Sequence, residues 1–220
     1  METAFWHERW KQHQTGFHQK EVNSHLKNYW GQTDLPKSSA ILVPLCGKSL
    51  DLLWLADQQY RVVGIELSEI AASEFCAENN FQAVPQNIEG GHLLQPAPLI
   101  SFLCKDFFKV TRSETGKISG VYDRAALVAL PPEMRKKYAA HLTALLDAGA
   151  KIFLVAFEYD QSKMQGPPFS VPENEILELF GEQFVIHEIN VSEFRAEPAR
   201  LAALPEKEPI RERVYILEKK

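Results

Sequence analysis

The run Ile41-Leu42-Val43-Pro44-Leu45-Cys46-Gly47-Lys48-Ser49-Leu50-Asp51 constrains the fold more than any other part of the chain. A short apolar run leads into a glycine turn. Apolar side chains then recur at Leu50, Leu53, Trp54 and Ala56, with Leu52 and Leu55 beside them. This pattern predicts a buried strand over 40–45, a tight turn, and a helix with a broad face to bury against a sheet. A second apolar run, Arg61-Val62-Val63-Gly64-Ile65, ends in Glu66. An acid that closes the next strand about twenty residues on completes the layout of a nucleotide-cofactor site in a parallel α/β sheet. The glycine lets backbone approach the ligand, and the acid can accept hydrogen bonds from ribose hydroxyls.

The rest of the chain continues the alternation. Residues 1 to about 35 predict two short helices around Thr15-Gly16-Phe17-His18, and Asp34 to Ser39 reads as a linker. Ser68 is an N-cap for a helix running to about Asn79. The stretch 82–99 is rich in Pro, Gly and Gln and reads as loop. A third strand follows at 99–104, closed by Asp106-Phe107-Phe108, then a turn at Thr115-Gly116-Lys117 and a short fourth strand at 120–123. Pro131-Pro132 opens a helix with a core stripe of Met134, Tyr138, Leu142 and Leu145, ended by Gly149. Lys151 to Phe157 reads as a strand buried on both faces. A helix at 173–180 and strands at 184–191 and 213–218 finish the chain. The expected fold is α/β, a doubly wound and mostly parallel sheet flanked by helices. At 220 residues the chain suits one domain, with a helical lid over 1–35 and an α/β core over 40–220.

Composition narrows the function classes. The net charge is −5 and no long Lys/Arg run occurs, which speaks against a nucleic-acid partner. The longest wholly apolar stretch, Ile152 to Phe157, is too short to span a bilayer, and the N-terminus lacks the apolar run of a secretory signal. Three widely spaced cysteines, Cys46, Cys76 and Cys104, with no CxxC, fit a reduced cytoplasmic protein. His7, His13, His18 and His25 lack the i, i+4 spacing of a helix-borne zinc pair, so no metal is expected. A monomer is the default.

Three cofactor classes compete for the loop. A P-loop needs a glycine five positions before Gly47, where Leu42 stands. A dinucleotide wants G-x-G-x-x-G, and this loop has only Gly47. S-adenosylmethionine carries no phosphate. One glycine, the ribose acid Glu66 and a further acid near the adenine, Asp106, meet its needs. A glycine after one strand and a glutamate after the next also arise in α/β proteins without such a ligand.

The residues themselves resemble the thiopurine S-methyltransferase family. Pro44-Leu45-Cys46-Gly47-Lys48-Ser49-Leu50-Asp51 followed by Val62-Val63-Gly64-Ile65-Glu66-Leu67-Ser68-Glu69 carries the likeness. So do Trp6, Trp10 and Gly16-Phe17-His18-Gln19, and Tyr122-Asp123-Arg124-Ala125-Ala126-Leu127 through Pro131. The likeness spans nearly the whole chain and is weakest in 80–98 and 192–212. It implies a class I methyltransferase fold, S-adenosylmethionine as methyl donor, and aromatic or heterocyclic thiols such as 6-mercaptopurine as acceptors. Bacterial members are also associated with selenium and tellurium species. By resemblance, Trp10, Leu45, Gly47, Glu66, Leu67, Asp106, Phe107 and Arg124 contact the cofactor. Arg124 is also the active-site arginine, and Arg195 or Arg200 supplies a second arginine facing the substrate.

Methyl transfer to sulfur is an in-line displacement in which the thiolate is the nucleophile. Positioning then carries most of the catalysis. Arg124 is expected to favour the anion, against the alternative of an ion pair with Asp123 or Glu66. Asp123 is a catalytic candidate or a cap for the turn that follows it. Trp6, Trp10 and Phe17 are candidates for a lid that grips a flat acceptor, or pack an N-terminal helix on the core. Rival readings are another small nucleophile, such as halide, thiocyanate or a chalcogen oxyanion, and a sensor that binds an adenosyl ligand without turnover.

Overall fold

The computed structural model describes residues 3–16, 18–195 and 209–220. They fall into two compact units, residues 1–122 and 123–220. The first begins with helices α1 (Thr3–Lys11) and α2 (Ser24–Tyr29) and continues with β1 (Ala40–Pro44), α3 (Asp51–Asp57), β2 (Arg61–Glu66) and α4 (Glu69–Glu78). Then come β3 (Gln86–Ile88), β4 (Gly91–Ala97), β5 (Ile100–Cys104), α5 (Arg112–Thr115) and β6 (Gly120–Arg124), whose last two residues belong to the second unit. The strand order is β3-β4-β5-β2-β1-β6. β5, β2, β1 and β6 are parallel, with Ala40 opposite Arg61 and Val62 opposite Ile100. Every residue of β1, and of β2 after Arg61, is buried. That is why these strands read as unbroken apolar runs. The Ser68 Oγ accepts from the Ala71 N–H, as an N-cap should.

The stretch 82–99 is not a loop. β3 and β4 form a hairpin, and β4 pairs antiparallel with β5. The strand signal was masked by Pro96, which sits in a bulge between Leu94 and Ala97, where a missing N–H is tolerated. The hairpin turns at Gly90, whose φ is +74°. A Cβ on Gly91 would lie 2.2 Å from the Cys104 carbonyl oxygen, so only glycine allows this approach to β5.

The second unit holds α6 (Pro132–Ala144), β7 (Lys151–Glu158), α7 (Glu173–Phe180), β8 (Phe184–Arg195) and β9 (Pro209–Lys219). β7, β9 and β8 lie in that order and pair antiparallel. β8 and β9 are longer than their apolar cores suggest, because ladder pairing continues through the charged run Arg211-Glu212-Arg213. In α6, Tyr138, Leu142 and Leu145 are buried as expected, but Met134 is only half-buried and Arg135 is fully buried. The helix stops at Ala144, with Leu145 as its cap, and Gly149 (φ +78°) instead forms the turn into β7. The α/β fold with its parallel centre is the expected one, with antiparallel hairpins added to it.

Candidate functional site

The loop from β1 to α3 is held by Glu66. This side chain is 6% exposed. Its Oε2 accepts the Gly47 N–H at 2.8 Å and its Oε1 accepts the Ser68 N–H at 2.8 Å. One carboxylate thus joins the loops at the ends of two neighbouring strands. Burial pushes the Glu66 carboxyl up from its usual range, while N–H groups of Ser68, Gly47 and Leu67 pull it down. A carboxylate has about four acceptor positions, which leaves capacity beside three backbone donors.

Two residues of the loop sit in the left-handed region, Leu45 at φ +48° and Gly47 at φ +54°. A non-glycine residue there costs on the order of 1 kcal/mol, a strain characteristic of ligand-binding loops. A Cβ at Gly47 would come within 3.2 Å of the Trp10 indole carbon Cζ2. Trp10, 2% exposed, therefore packs against bare backbone, and the α1 side chain and the glycine need one another. Trp6 is half-buried on the same helix and meets Phe5 edge-on at 5.2 Å.

A cavity of about 480 Å³ adjoins the first turn of α4, with Leu67, Asp106, His7 and the hairpin glycines Gly90 and Gly91 among its walls. The Asp106 carboxylate accepts from the Phe108 N–H at 3.0 Å and so opens the short turn Phe107–Lys109. Phe107 is buried and packs edge-on to Phe108 at 5.6 Å. Sequence reasoning missed Lys105. Its buried ammonium donates to the Glu89 carbonyl at 2.9 Å and to Glu114 at 2.7 Å, fastening the hairpin turn beside the cavity. Its signal was hidden because the hairpin itself was unread. Burial raises the Cys46 thiol well above its usual value and pushes Cys104 up to about 12, so both stay thiols at neutral pH. Lys48 donates to Glu74 at 2.8 Å and Glu78 at 2.6 Å on α4.

In the second unit, Asp123 is 1% exposed. Its Oδ1 accepts from the N–H groups of Ala126 (3.3 Å) and Leu127 (3.1 Å), and its Oδ2 accepts the Tyr138 hydroxyl at 2.6 Å. Burial pushes its pKa up to about 6, against those donors. The turn so capped contains Ala125 at φ +73° and directly follows the half-buried Arg124. Tyr138 was legible only as a core residue, since nothing in the α6 stripe announces where its hydroxyl goes. Arg135, also missed, donates from Nε to the Leu130 carbonyl at 2.9 Å and from Nη1 to both oxygens of Glu175, at 2.7 and 2.6 Å. Its guanidinium lies 5.8 Å from the centre of the Phe169 ring. The Phe169 N–H in turn donates to the Val128 carbonyl at 2.6 Å. Phe17 and Arg200 lie outside the described residues. Arg195 ends β8, paired in the ladder with Pro209, and its side chain is likewise outside the description.

Among the described residues no cluster of His, Cys, Asp and Glu could hold a metal ion, and no helix is long and apolar enough to cross a membrane. By structure, the chain is similar to a 1,6-didemethyltoxoflavin-N1-methyltransferase from Burkholderia thailandensis with S-adenosylhomocysteine bound. The TM-score is 0.65 at 15% identity, covering 99% of this chain and 87% of that one. An N-methyltransferase from Bradyrhizobium japonicum, in complex with S-adenosylhomocysteine, gives a TM-score of 0.63 at 10% identity, covering 97% of each chain. These likenesses establish the class I methyltransferase fold. By sequence, a thiopurine S-methyltransferase from Methylococcus capsulatus is 45% identical over 84% of both chains. One from Azotobacter vinelandii is 39% identical over the full length of both. The family model for thiopurine S-methyltransferase matches residues 1–220. The chain therefore belongs to the thiopurine S-methyltransferase family, and it is an S-adenosylmethionine-dependent methyltransferase.

Proposed function

We propose that this protein methylates the sulfur of aromatic or heterocyclic thiols, thiopurines among them. The observation that carries the reading is the Glu66 carboxylate, buried and bridging Gly47 and Ser68 at the ends of β1 and β2. A loop with one glycine and no phosphate cradle suits an adenosyl donor. When bound, S-adenosylmethionine supplies a methyl group already activated on a sulfonium. Glu66 uses its remaining acceptor capacity for the ribose hydroxyls. Gly47 and Leu45 offer backbone at close range, and Trp10 covers the glycine. Leu67, Asp106 and Phe107 line the adenine end.

On the acceptor side little acid–base chemistry is needed, because an acidic heteroaromatic thiol is largely ionised near neutral pH. Arg124 favours binding of that anion and orients it. Asp123 supports the turn that presents Arg124, since its oxygens are engaged by Ala126, Leu127 and Tyr138. Trp6 and Phe17, with Arg195, contribute to acceptor binding. The chain acts as one methyltransferase domain with an N-terminal helical lid, monomeric and cytoplasmic, and without a nucleic-acid partner.

The test is methyl transfer from labelled S-adenosylmethionine to 6-mercaptopurine by the purified protein. Label on the purine sulfur is expected. Absence of transfer while S-adenosylhomocysteine still binds would overturn the acceptor and move the reading to another small nucleophile or to a sensor. An Arg124→Ala variant with unchanged kcat/KM would remove the arginine from the mechanism.

A further inference from the structure

Asp51 opens α3 and is fully buried. Its Oδ1 accepts the Asn23 backbone N–H at 2.8 Å, and its Oδ2 accepts the Tyr122 hydroxyl at 2.9 Å. Both partners are fixed. Asn23 caps α2, its Oδ1 accepting from His25 (2.9 Å) and Leu26 (3.3 Å). Tyr122, 1% exposed, lies in β6 and packs edge-on to Trp30 at 6.2 Å, just after α2. A single carboxylate therefore joins three pieces of chain: the end of the glycine loop, the start of α2 and the middle of β6. An apolar side chain would fill such a position at lower desolvation cost, but it would not fix the register of three segments. The N-terminal segment is also fastened at its other end, where Trp10 packs on Gly47. Both anchors land within Gly47–Asp51.

We infer that Asp51 is a positioning residue for methyl transfer: it holds the glycine loop in register with β6 and with the returning N-terminal segment. The inference rests on the methyltransferase reading above. Asp51 is fully buried and acts through the elements it joins. In-line displacement is sensitive to such registers, because a misplacement of about 1 Å costs roughly 100-fold in rate.

The test compares wild-type protein with Asp51→Asn and Tyr122→Phe, measuring label transfer to 6-mercaptopurine, S-adenosylhomocysteine affinity and Tm. Tyr122→Phe keeps the ring and its packing, so it remains informative if Asp51→Asn does not fold. The expected result is a fall in kcat of about 10- to 100-fold with S-adenosylhomocysteine affinity held within about threefold. A lower Tm with unchanged kcat would make the network structural only and overturn the inference. So would a loss of affinity that accounts for the whole loss of rate, which would make Asp51 a support for cofactor binding alone. Wild-type protein that transfers no label would refute the underlying reading and the inference with it. Active wild type with an unimpaired Tyr122→Phe would refute the inference alone.

Discussion

The glycine loop of the first unit and the β6–α6 turn of the second each centre on a buried carboxylate, yet they are built in different ways. Glu66 is met by backbone N–H groups on both oxygens. Asp123 is met by backbone on one oxygen and by the Tyr138 hydroxyl, fifteen residues away, on the other. On the same helix as Tyr138, Arg135 reaches forty residues to Glu175. Backbone donors at strand ends are supplied by the fold itself, so the first site needs few special side chains. Side-chain donors must be specified one by one, and each ties the turn to packing elsewhere. The first region should therefore fail by losing ligand, and the second by losing stability.

The largest expected effect is in the second region. Arg135→Ala empties the space of a fully buried side chain and leaves the Leu130 carbonyl without its donor. It should cost about 3–5 kcal/mol, roughly 1–3 for the unmet carbonyl and about 2 for the lost packing, the pair with the 23% exposed Glu175 adding little. For a chain of this size that lowers Tm by about 6–20 °C. Arg135→Lys should not restore it, because one ammonium would have to replace both the Nε contact to the Leu130 carbonyl and the Nη1 contact to Glu175. Thermal unfolding and S-adenosylhomocysteine titration of the folded variant check both halves. A variant of normal Tm would break the contrast between the regions.

Asp123 gives the next effect, as a pH dependence. Its folded pKa, about 6, lies above the ordinary 3.8. The folded state thus holds the proton more tightly than the unfolded chain. This contribution to stability is complete below about pH 4, declines as pH rises through about 6, and is flat above it. The span is on the order of 3 kcal/mol. Denaturant unfolding of wild type and Asp123→Asn between pH 4 and 7 should show the wild type losing ground over that window. A constant difference would mean that Tyr138 and the backbone donors fully offset the burial.

Glu66→Ala tests the first region. Removing the carboxylate leaves the buried N–H groups of Gly47 and Ser68 without their acceptor and takes away the proposed ribose contact. Each unmade bond costs about 1–3 kcal/mol. S-adenosylhomocysteine affinity should fall at least about 100-fold, or about 2.7 kcal/mol, by calorimetry. Retention within tenfold would show a loop that holds its shape without the acid.

How much of this was legible follows the same division. The strand–glycine–strand–acid pattern is a matter of chain-local periodicity, so β1, α3, β2 and α4 were placed within a residue or two and Glu66 was singled out. The hairpin β3–β4 was lost because Pro96 and three nearby glutamines imitate a loop, and because the need for Gly91 arises only once β5 lies against it. In α6, an arginine beside an apolar stripe reads as a solvated residue, and only the fold shows that Glu175 and Phe169 wait for it. Tyr138 and Asp51 read as core and helix start. Their hydrogen bonds span 15 to 71 residues and leave no periodic trace.

The smallest effect sharpens the comparison most. Lys48 follows the loop glycine and, in a phosphate-binding loop, would reach the ligand. Here its ammonium is turned to Glu74 and Glu78. Burial works to lower its pKa, and the two carboxylates outweigh it and raise it. Glu74 and Glu78 are 22% and 49% exposed, so water screens the pairs and together they are worth about 1 kcal/mol or less. Lys48→Met keeps the aliphatic stem and removes the charge. It should leave Tm within about 2–4 °C of wild type and S-adenosylhomocysteine affinity within about threefold. A loss of tenfold or more would place a side-chain cation in the donor site, and the first region could no longer be called a site built from backbone and one acid.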